Sequence, residues 1–328
     1  MSQDHYVART YLKHFGDPEC GGMLHGYRKP AGDTFPCWPK DVCREWDGDI
    51  NPVLKDPGLL GAYHGYFEPH WNPSIAQIAS GSLRHQDKWA IAGYLSNLMA
   101  CVPAWLRVNQ QCMADMRGTL VRESLRAQKS RGMPLNKAQQ QLLDFLDSGK
   151  RLPMDPNEAK AHAIHDLVDH AWRAYNADWI ILRNDSQQPF ITSDNPVAFG
   201  WSGRLGDPVR RYLPVTPNLC VGVSFDPARH DERNLTPELL EQDLKAGPRG
   251  VVRSGTARPI EVREINKLIV QCAEEQIFSS KAFDQLPPLT RKYGRYRLES
   301  EGFEGLARCG LHIGTRYVVR ERRTCAAS

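Results

Sequence analysis

The sequence lacks the motifs that fix a known chemistry. It contains neither of the phosphate-binding glycine patterns, GxGxxG and GxxxxGK[ST], and neither HExxH nor GxSxG, so dinucleotide-binding, P-loop, zincin and α/β-hydrolase functions are all without their motif. Its nine cysteines include no Cys-x-x-Cys pair, which argues against a zinc knot or a disulfide framework and favours a reducing compartment. Any active site must therefore be built from scattered residues.

Long apolar runs and low-complexity tracts are also missing. No segment approaches the roughly 18 apolar residues of a membrane span, and the opening MSQDHYVART has neither the apolar stretch nor the cleavage site of a signal peptide. We therefore expect a cytoplasmic protein with no membrane partner. The sequence does not indicate its oligomeric state. With 328 residues, 41% hydrophobic and 24% charged, the chain can build a sizeable core.

Helical spacing dominates the first half of the chain. HYVARTYLKHF places Val7, Tyr11 and Phe15 on one face of a short helix, and the same periodicity predicts helices over residues 87–100 and 157–175. Pro103 should kink or restart the helix that precedes it. Between the first two helices, glycines and prolines in residues 21–49 favour short strands or ordered loops.

Strand-like runs dominate the second half. DWIILRND, FITSDNPVAF, RRYLPVTP and LCVGVSF are separated by Asn, Asp, Gly and Pro, as in an antiparallel sheet, and EVREINKLIVQCAEEQIF returns to helical spacing. The predicted fold class is α+β, with residues 1–175 mainly helical and 176–328 mainly sheet. Because no Gly/Ser-rich linker separates the halves, we expect one compact domain over 1–328.

FITSDNPV, residues 190–197, concentrates polar groups at the end of an apolar strand. Ser193, Asp194 and Asn195 before Pro196 suit an Asx or Ser turn, since the residue before proline avoids the helical region. A turn does not explain why hydroxyl groups at 192 and 193 project beside the carboxylate. The stretch is therefore either a turn or part of an active site, with Asp194 and Asn195 as candidate catalytic residues.

Two further residues could take part in acid–base or metal chemistry. His5 lies where an imidazole that titrates near neutral pH can serve as acid, base or ligand, although a packing role is common for histidine. Glu68 is surrounded in sequence by Tyr66, Phe67 and Trp71, which would raise the pKa of its carboxyl group unless a cation lies opposite. Glu68 and Asp194 together would suit Mg²⁺ or Mn²⁺.

The carboxyl-terminal region is basic. Residues 291–323 contain nine Lys/Arg against four Glu, a local excess of +5, with tyrosines between the cations. This mixture suits phosphate contacts and base stacking, although charged side chains also protect exposed strand edges. The candidate nucleic-acid-binding residues are Arg291, Lys292, Tyr293, Arg295, Tyr296, Arg297 and Arg316.

The sequence resembles the bacterial family called domain of unknown function 4238. The resemblance rests on HYVARTYLKHF, the aromatic-flanked Glu68, FITSDNPV, YLPVTP and EINKLIVQCAEEQIFSS, in this order, and it extends to about residue 280. Two motifs depart from the family pattern: Ala8 replaces the proline of His-Tyr-Val-Pro, and Cys101-Val102-Pro103 replaces Arg-Thr-Pro. The positions that match the family are His5, Tyr6, Glu68, Ser193, Asp194, Asn195 and Asn266.

The resemblance implies a single-gene antiviral defence effector with a phage-derived trigger, and it assigns no chemistry. Our first hypothesis is a metal-dependent nuclease in which Glu68 and Asp194 bind Mg²⁺ or Mn²⁺ and His5 assists proton transfer. The alternatives are a non-catalytic module that senses nucleic acid or a viral protein, and a toxin that consumes a nucleotide or cofactor. Carboxylates converging on a cleft would favour the nuclease, whereas a nucleotide-sized pocket would favour the toxin.

Overall fold

A computed structural model describes residues 3–29, 31–200, 209–225, 235–307 and 310–322. Its helices are α1 (Arg9–Leu12), α2 (Leu59–Phe67), α3 (Trp71–Ser80), α4 (His85–Cys101), α5 (Pro103–Ser130), α6 (Lys137–Asp147), α7 (Pro156–His165), α8 (Leu167–Asn176), α9 (Pro237–Ala246), α10 (Pro259–Cys272) and α11 (Leu286–Tyr293). Its strands are β1 (Gln3–His5), β2 (Leu24–Arg28), β3 (Thr34–Cys37), β4 (Arg44–Trp46), β5 (Asp178–Arg183), β6 (Thr192–Ser193), β7 (Ala198–Gly200), β8 (Val209–Thr216), β9 (Leu219–Phe225), β10 (Val252–Thr256), β11 (Gln276–Ser279), β12 (Tyr296–Ala307) and β13 (Gly310–Glu321). This combination confirms the predicted α+β class.

The strands form two larger sheets and two short pairs. One sheet has the order β10-β5-β9-β8-β7, and only its β10–β5 pair is parallel. The other has the order β3-β2-β11-β6 and is antiparallel throughout, so it joins strands from both ends of the chain. β1 pairs with β4, and β12 pairs with β13. The mostly antiparallel pairing agrees with the sequence prediction.

Side chains from both halves of the chain share one hydrophobic core. Tyr11 of α1, Leu95 of α4, Trp172 of α8, Val221 of β9 and Ile277 of β11 all belong to one cluster of buried residues. The fold therefore buries apolar faces of the helices against the sheets, as expected for layers that each have one hydrophobic face.

Helix α4 forms the centre of the helical half. Every residue from Asp87 to Cys101 is buried, so this helix is enclosed on all sides and does not expose a polar face. α5 restarts at Pro103 as predicted, and the two helices are bent by 68° at the break. Among the described residues no single helix is long and apolar enough to cross a membrane, and α4 with α5 meets that test only as this bent pair.

Two predicted helices have different limits in the structure. The helix expected over 157–175 is divided into α7 and α8 at Asp166, whose backbone nitrogen still bonds the carbonyl of His162. The late helix ends at Cys272, and the following Gln276–Ser279 segment is β11. A short apolar run such as Gln-Ile-Phe fits a strand as well as a helix, so periodicity could not place this boundary.

Candidate functional site

Asp194 is a buried carboxylate whose oxygens are occupied by backbone groups. It accepts hydrogen bonds from the backbone N–H groups of Glu274 at 2.8 Å, Glu275 at 2.7 Å and Gln276 at 2.9 Å. Glu274 and Glu275 belong to the turn that connects α10 to β11, and Gln276 is the first residue of β11. Asp194 is 4% exposed, so its carboxylate fixes this turn from inside the protein and does not face a cleft.

A half-buried lysine, Lys29, acts electrostatically on this carboxylate. The ammonium group of Lys29 donates to the carbonyl oxygens of Ala273 at 2.6 Å and Tyr296 at 2.9 Å. Burial raises the pKa of Asp194 to about 6, against the opposing effect of the three N–H donors and Lys29. Burial likewise lowers the pKa of Lys29 to about 8, while the charge of Asp194 opposes the shift. The two groups compensate each other's charge inside the fold.

The neighbours of Asp194 are also bonded within the protein. Ser193 Oγ donates to the carbonyl of Asn195 at 2.7 Å, and Asn195 Nδ2 donates to the carbonyl of Cys272 at 2.9 Å. Thr192 Oγ1 lies 2.7 Å from the hydroxyl of Tyr11. Asn266 accepts from the N–H of Ile191 and donates to a backbone carbonyl. FITSDNPV is therefore a buried junction that joins α1, α10 and β11.

His5 and Glu68 instead line an open cavity of about 240 Å³. The cavity lies between β1, α2 and α4, and Asp194 is not part of its lining. Its walls are formed by Gln3, Asp4, His5, Tyr6, Ala8, Arg9, Asp49, His64, Glu68, Tyr94, Asn97, Leu98 and Cys101. The structure thus brings together two of the predicted site residues and leaves Asp194 and Asn195 in the junction.

His5 has one ring nitrogen available for proton transfer. Its Nε2 lies 3.2 Å from the carbonyl oxygen of Lys40, and because a carbonyl only accepts, Nε2 carries the proton. In the neutral ring Nδ1 is then an acceptor. Burial lowers the pKa of His5 from its usual value, with Arg9 and Arg44 acting in the same direction. The imidazole is therefore mainly neutral at pH 7 and can act as a base.

Glu68 begins the 3₁₀ turn that follows α2, and a threonine holds it in place. Thr10 Oγ1 donates to Glu68 Oε1 at 2.7 Å, linking α1 to this turn. The second oxygen, Oε2, accepts no hydrogen bond within the part of the chain that the structure describes. One carboxylate oxygen is thus positioned by the protein while the other remains available to a ligand.

His64 and Asp49 form an ion pair in the same cavity. The sequence analysis did not identify either residue. His64 Nδ1 lies 3.1 Å from Asp49 Oδ1. Burial alone would lower the pKa of His64, but its hydrogen bonds to the Asp49 carboxylate and the Cys101 thiol raise that pKa to about 10. The ring is therefore an imidazolium ion at neutral pH. The only local signal was that His64 precedes Glu68 by four residues, the spacing of one helical face.

A turn after β4 places Asp49 at this cavity. Asp47 has a φ of 51°, in the left-handed region that aspartate tolerates better than most residues, and its carbonyl accepts from Ile50 N at 3.0 Å. The N–H of Asp49 donates to Asp4 Oδ2 at 3.2 Å, which ties the turn to β1. The side chains of Asp4 and Asp49 therefore approach the cavity from adjacent segments.

The basic region is only partly free of acidic partners. Arg291, Lys292 and Arg295 are exposed. Arg297 instead pairs with Glu299 at 2.7 Å. Tyr293 and Tyr296 lie with ring centroids 6.0 Å apart.

Two cations lie close to the Tyr293 ring. The ammonium groups of Lys267 and Lys292 are 5.5 Å and 5.3 Å from its centroid. Arg316 pairs with Glu301 in the β12–β13 register, and its side chain lies outside the described part of the structure. The exposed cations therefore concentrate around α11.

A search of the described residues for a metal-binding cluster gives one group, at a different place. Ligand atoms of Asp17, Cys20 and His25 lie within 4.8 Å of one another. Glu68 and Asp194 are not part of it, so the structure does not support their predicted sharing of one Mg²⁺ or Mn²⁺ ion.

Comparison with known proteins gives one match. The sequence model of a family described as "Protein of unknown function (DUF4238)" matches residues 3–283, which include the cavity and the FITSDNPV junction. No curated protein and no solved structure matches the chain.

Proposed function

We propose a function from the premise that this chain belongs to the DUF4238 family, whose sequence model matches most of it. The cavity around His5 and Glu68 is the active site of an antiviral effector that consumes a nucleotide or a nucleotide cofactor. The reaction is hydrolysis of the N-glycosidic bond. The observation that carries this proposal is the lining of the cavity, where a neutral imidazole accompanies an excess of carboxyl groups.

The charges of the lining favour this reaction over cleavage of a phosphodiester. Three carboxyl side chains, Asp4, Asp49 and Glu68, face two cationic ones, Arg9 and His64, and the charge of His64 is already compensated by Asp49. Phosphoryl transfer concentrates negative charge that cations or metal ions must stabilise. Cleavage of a glycosidic bond passes through an oxocarbenium-like state, which a carboxylate stabilises.

The size of the cavity also favours a small substrate. Its volume of about 240 Å³ is slightly below the range for small-molecule sites, roughly 300–1,000 Å³. Such a cavity suits the sugar and base of a single nucleotide and does not extend along a polymer. This supports the toxin alternative of the sequence analysis over the nuclease.

Two side chains have the main roles in this mechanism. Glu68, held at Oε1 by Thr10, stabilises positive charge on the ribose through Oε2. His5 Nδ1 takes a proton from a water molecule, whose oxygen attacks the anomeric carbon. The C–N bond breaks and its electron pair remains with the departing base. A base that leaves as an anion, such as adenine, receives the proton that His5 took from water, whereas nicotinamide leaves NAD⁺ neutral and the proton passes from His5 to the solvent. The products are the free base and the ribosyl compound that carries the new hydroxyl group.

The direct test is the release of free base by the purified full chain. NAD⁺, ATP, GTP and a single-stranded oligonucleotide are incubated separately with the protein, and the products are separated by chromatography. We expect free base from a small nucleotide, and a loss of about 100-fold or more in Glu68→Gln. Glu264→Gln is the matched control, because Glu264 is an exposed glutamate paired with Lys267.

The same variants connect the chemistry to defence. Cells expressing the wild-type chain should resist phage infection, and cells expressing Glu68→Gln at the same level should not. Cleavage of the oligonucleotide into shorter fragments without release of base, or full activity of Glu68→Gln, would contradict the proposed reaction. Base release without protection would contradict only the defence role.

A further inference from the structure

Asn97 is a buried side chain that faces the cavity without a partner. It lies on α4, is 1% exposed and belongs to the cavity lining. Within the described protein neither Asn97 Nδ2 nor Asn97 Oδ1 makes a hydrogen bond. The backbone carbonyl of Asn97 accepts from Cys101 Sγ at 2.9 Å. The main chain is therefore fixed, and the side-chain amide remains available.

Two other buried asparagines of this protein, Asn51 and Asn266, are bonded through both side-chain atoms. Asn51 donates to the carbonyl of Asn157 at 2.9 Å and accepts from Val53 N at 3.0 Å. Asn266 donates to the carbonyl of Pro189 at 2.9 Å and accepts from Ile191 N at 3.1 Å. The side chains of Asn51 and Asn266 connect separate segments of the fold by hydrogen bonds. The side chain of Asn97 makes no such connection among the described residues.

An unpaired buried amide is unfavourable for the free protein. The donor and the acceptor both lose their hydrogen bonds to bulk water and gain nothing in return, and buried polar groups in proteins are nearly always paired. Such a group is a ready recognition element, because a ligand that supplies the missing partners removes this penalty. Because Asn97 lines the cavity, a ligand bound in the cavity would supply those partners.

We propose that Asn97 binds the leaving group of the substrate through both side-chain atoms. The ligand is a planar heterocycle with adjacent hydrogen-bond acceptor and donor groups: Nδ2 donates to the acceptor and Oδ1 accepts from the donor. An asparagine amide matches the edge of a purine in this geometry, and it matches a carboxamide equally well. This inference rests on the proposed function for its choice of nucleotide compounds.

The surroundings of Asn97 suit such a group. Tyr94 and Leu98, on the same helix, also line the cavity and offer aromatic and aliphatic surface to a flat ring. The Tyr94 hydroxyl already accepts from the N–H of Ala8 at 3.2 Å, which fixes the aromatic side chain. Donation from Asn97 Nδ2 to the departing base would stabilise the electron pair that the base receives when the C–N bond breaks.

The test combines binding with stability. Nicotinamide, which carries a carboxamide, and adenine, which carries a purine edge, are titrated separately into the full chain by calorimetry. We expect one of them to bind. The compound that binds identifies whether the leaving group carries a carboxamide or a purine edge. Asn97→Leu should weaken that binding by about tenfold or more, since two hydrogen bonds are lost. Its melting temperature should equal or exceed that of the wild type.

The matched control is Asn266→Leu. Asn266 is buried and fully bonded, so the same substitution there should lower the melting temperature. A comparable loss of melting temperature in Asn97→Leu would assign Asn97 a structural role and overturn the inference. Asn97→Asp, which is nearly isosteric and lacks the donor, is the second variant and must also show the weakened binding.

Two further outcomes separate this inference from the proposed function. Unchanged affinity in folded Asn97→Leu, or no binding of either compound, would overturn the role of Asn97. Binding that depends on Asn97 in a protein that releases no base would leave the inference standing and contradict the proposed hydrolysis. Base release with unaltered kcat/KM in Asn97→Leu would contradict the inference alone.

Discussion

The imidazole of His64 and the carboxylate of Asp49 meet at 3.1 Å between Nδ1 and Oδ1. His64 lies on α2, whereas Asp49 lies in the turn after β4, so this contact ties the helical half to the β1–β4 pair. The contact also raises the pKa of His64 to about 10, with help from the Cys101 thiol. The wall of the cavity therefore contains an ion pair at neutral pH, and this pair should stabilise the fold.

The first prediction concerns this ion pair and pH. Because the pKa of His64 is raised from 6.5 to about 10 on folding, its contribution is complete below about pH 6.5 and is lost as pH rises toward 10. The substitution Asp49→Asn removes the carboxylate that pairs with His64. The melting temperature of Asp49→Asn should therefore be lower than that of the wild type at pH 6, with a difference that shrinks on going to alkaline pH.

Asp56→Asn is the control for this pH series. Asp56 is exposed and its Oδ1 accepts from the N–H of Gly58, so its effect should not follow the titration of His64. A melting-temperature difference for Asp49→Asn that stays constant from neutral to alkaline pH would refute the role assigned to His64.

The second prediction concerns the junction. Asp194→Asn replaces one accepting oxygen by an NH₂ group, which cannot accept from the N–H groups of Glu274, Glu275 and Gln276 as the carboxylate does. It also removes one of the two carboxylates, the other being that of Glu274, whose charge stabilises the protonated form of the half-buried Lys29. We expect the free energy of unfolding to fall by about 2–4 kcal/mol, measured by denaturant titration at pH 7.

Asp185→Asn, at an exposed aspartate nearby in the sequence, should change the free energy of unfolding by less than about 0.5 kcal/mol. If Asp194→Asn were as stable as this control, the carboxylate would not have the structural role that its three donors indicate, and its place in an active site would have to be reconsidered.

The third prediction is the pH dependence of base release. The pKa of His5 is lowered from 6.5 by burial and by nearby arginines, so the neutral base is present at pH 7 and is lost under acid conditions. A plot of kcat/KM from about pH 5 to about pH 8 should rise to a plateau with a midpoint below 6.5. His5→Gln should be slow and lack this rise. A profile without an acid limb would exclude His5 as the base.

The fourth prediction addresses the Mg²⁺ or Mn²⁺ site expected from the sequence. Since the Asp194 oxygens bond three backbone N–H groups, treatment with EDTA followed by gel filtration should leave base release unchanged. Activity that disappears on chelation and returns with Mg²⁺ or Mn²⁺ would instead favour the metal-dependent nuclease hypothesis. The same samples should be assayed on the oligonucleotide.

The fifth prediction concerns nucleic-acid binding by the exposed cations at 291, 292 and 295. If these contact phosphates, affinity for single-stranded DNA should fall with salt, and replacing Arg291, Lys292 and Arg295 together by Gln should reduce the slope of log K against log salt by about 2. Arg297→Gln should have little effect, because Arg297 pairs with Glu299. Equal slopes for the triple variant and the wild type would rule out this surface.

Much of the fold could be predicted from the sequence because it depends on local spacing. The helical period over 87–100 and the restart at Pro103 correspond to α4 and α5, and the β-like run LCVGVSF corresponds to β9. The end of α10 could not be predicted, since the short apolar run after it satisfies the periods of both helix and strand. The division between α7 and α8 could not be predicted either, because the helical spacing of apolar residues continues across Asp166.

The candidate site was predictable only in part. His5 and Glu68 were identified by residue type and by the family resemblance, and they do line one cavity. Asp49, His64 and Asn97 were not identified, because nothing in their immediate sequence distinguishes them from ordinary turn, helix and core residues. A carboxylate, an imidazole and an amide acquire their properties from the groups that surround them.

The sequence by itself determined the fold class and the position of the most regular helices and strands, such as α4 and β9. Only the tertiary structure decided the roles of the polar residues: Asp194 bonds backbone groups that lie about 80 positions away in the chain, at Glu274 and beyond. Asn97 lies on the buried helix α4, and among the described residues none provides a partner for its amide. Helix and strand formation follow from neighbours along the chain, whereas hydrogen-bond pairing and pKa depend on contacts between distant segments.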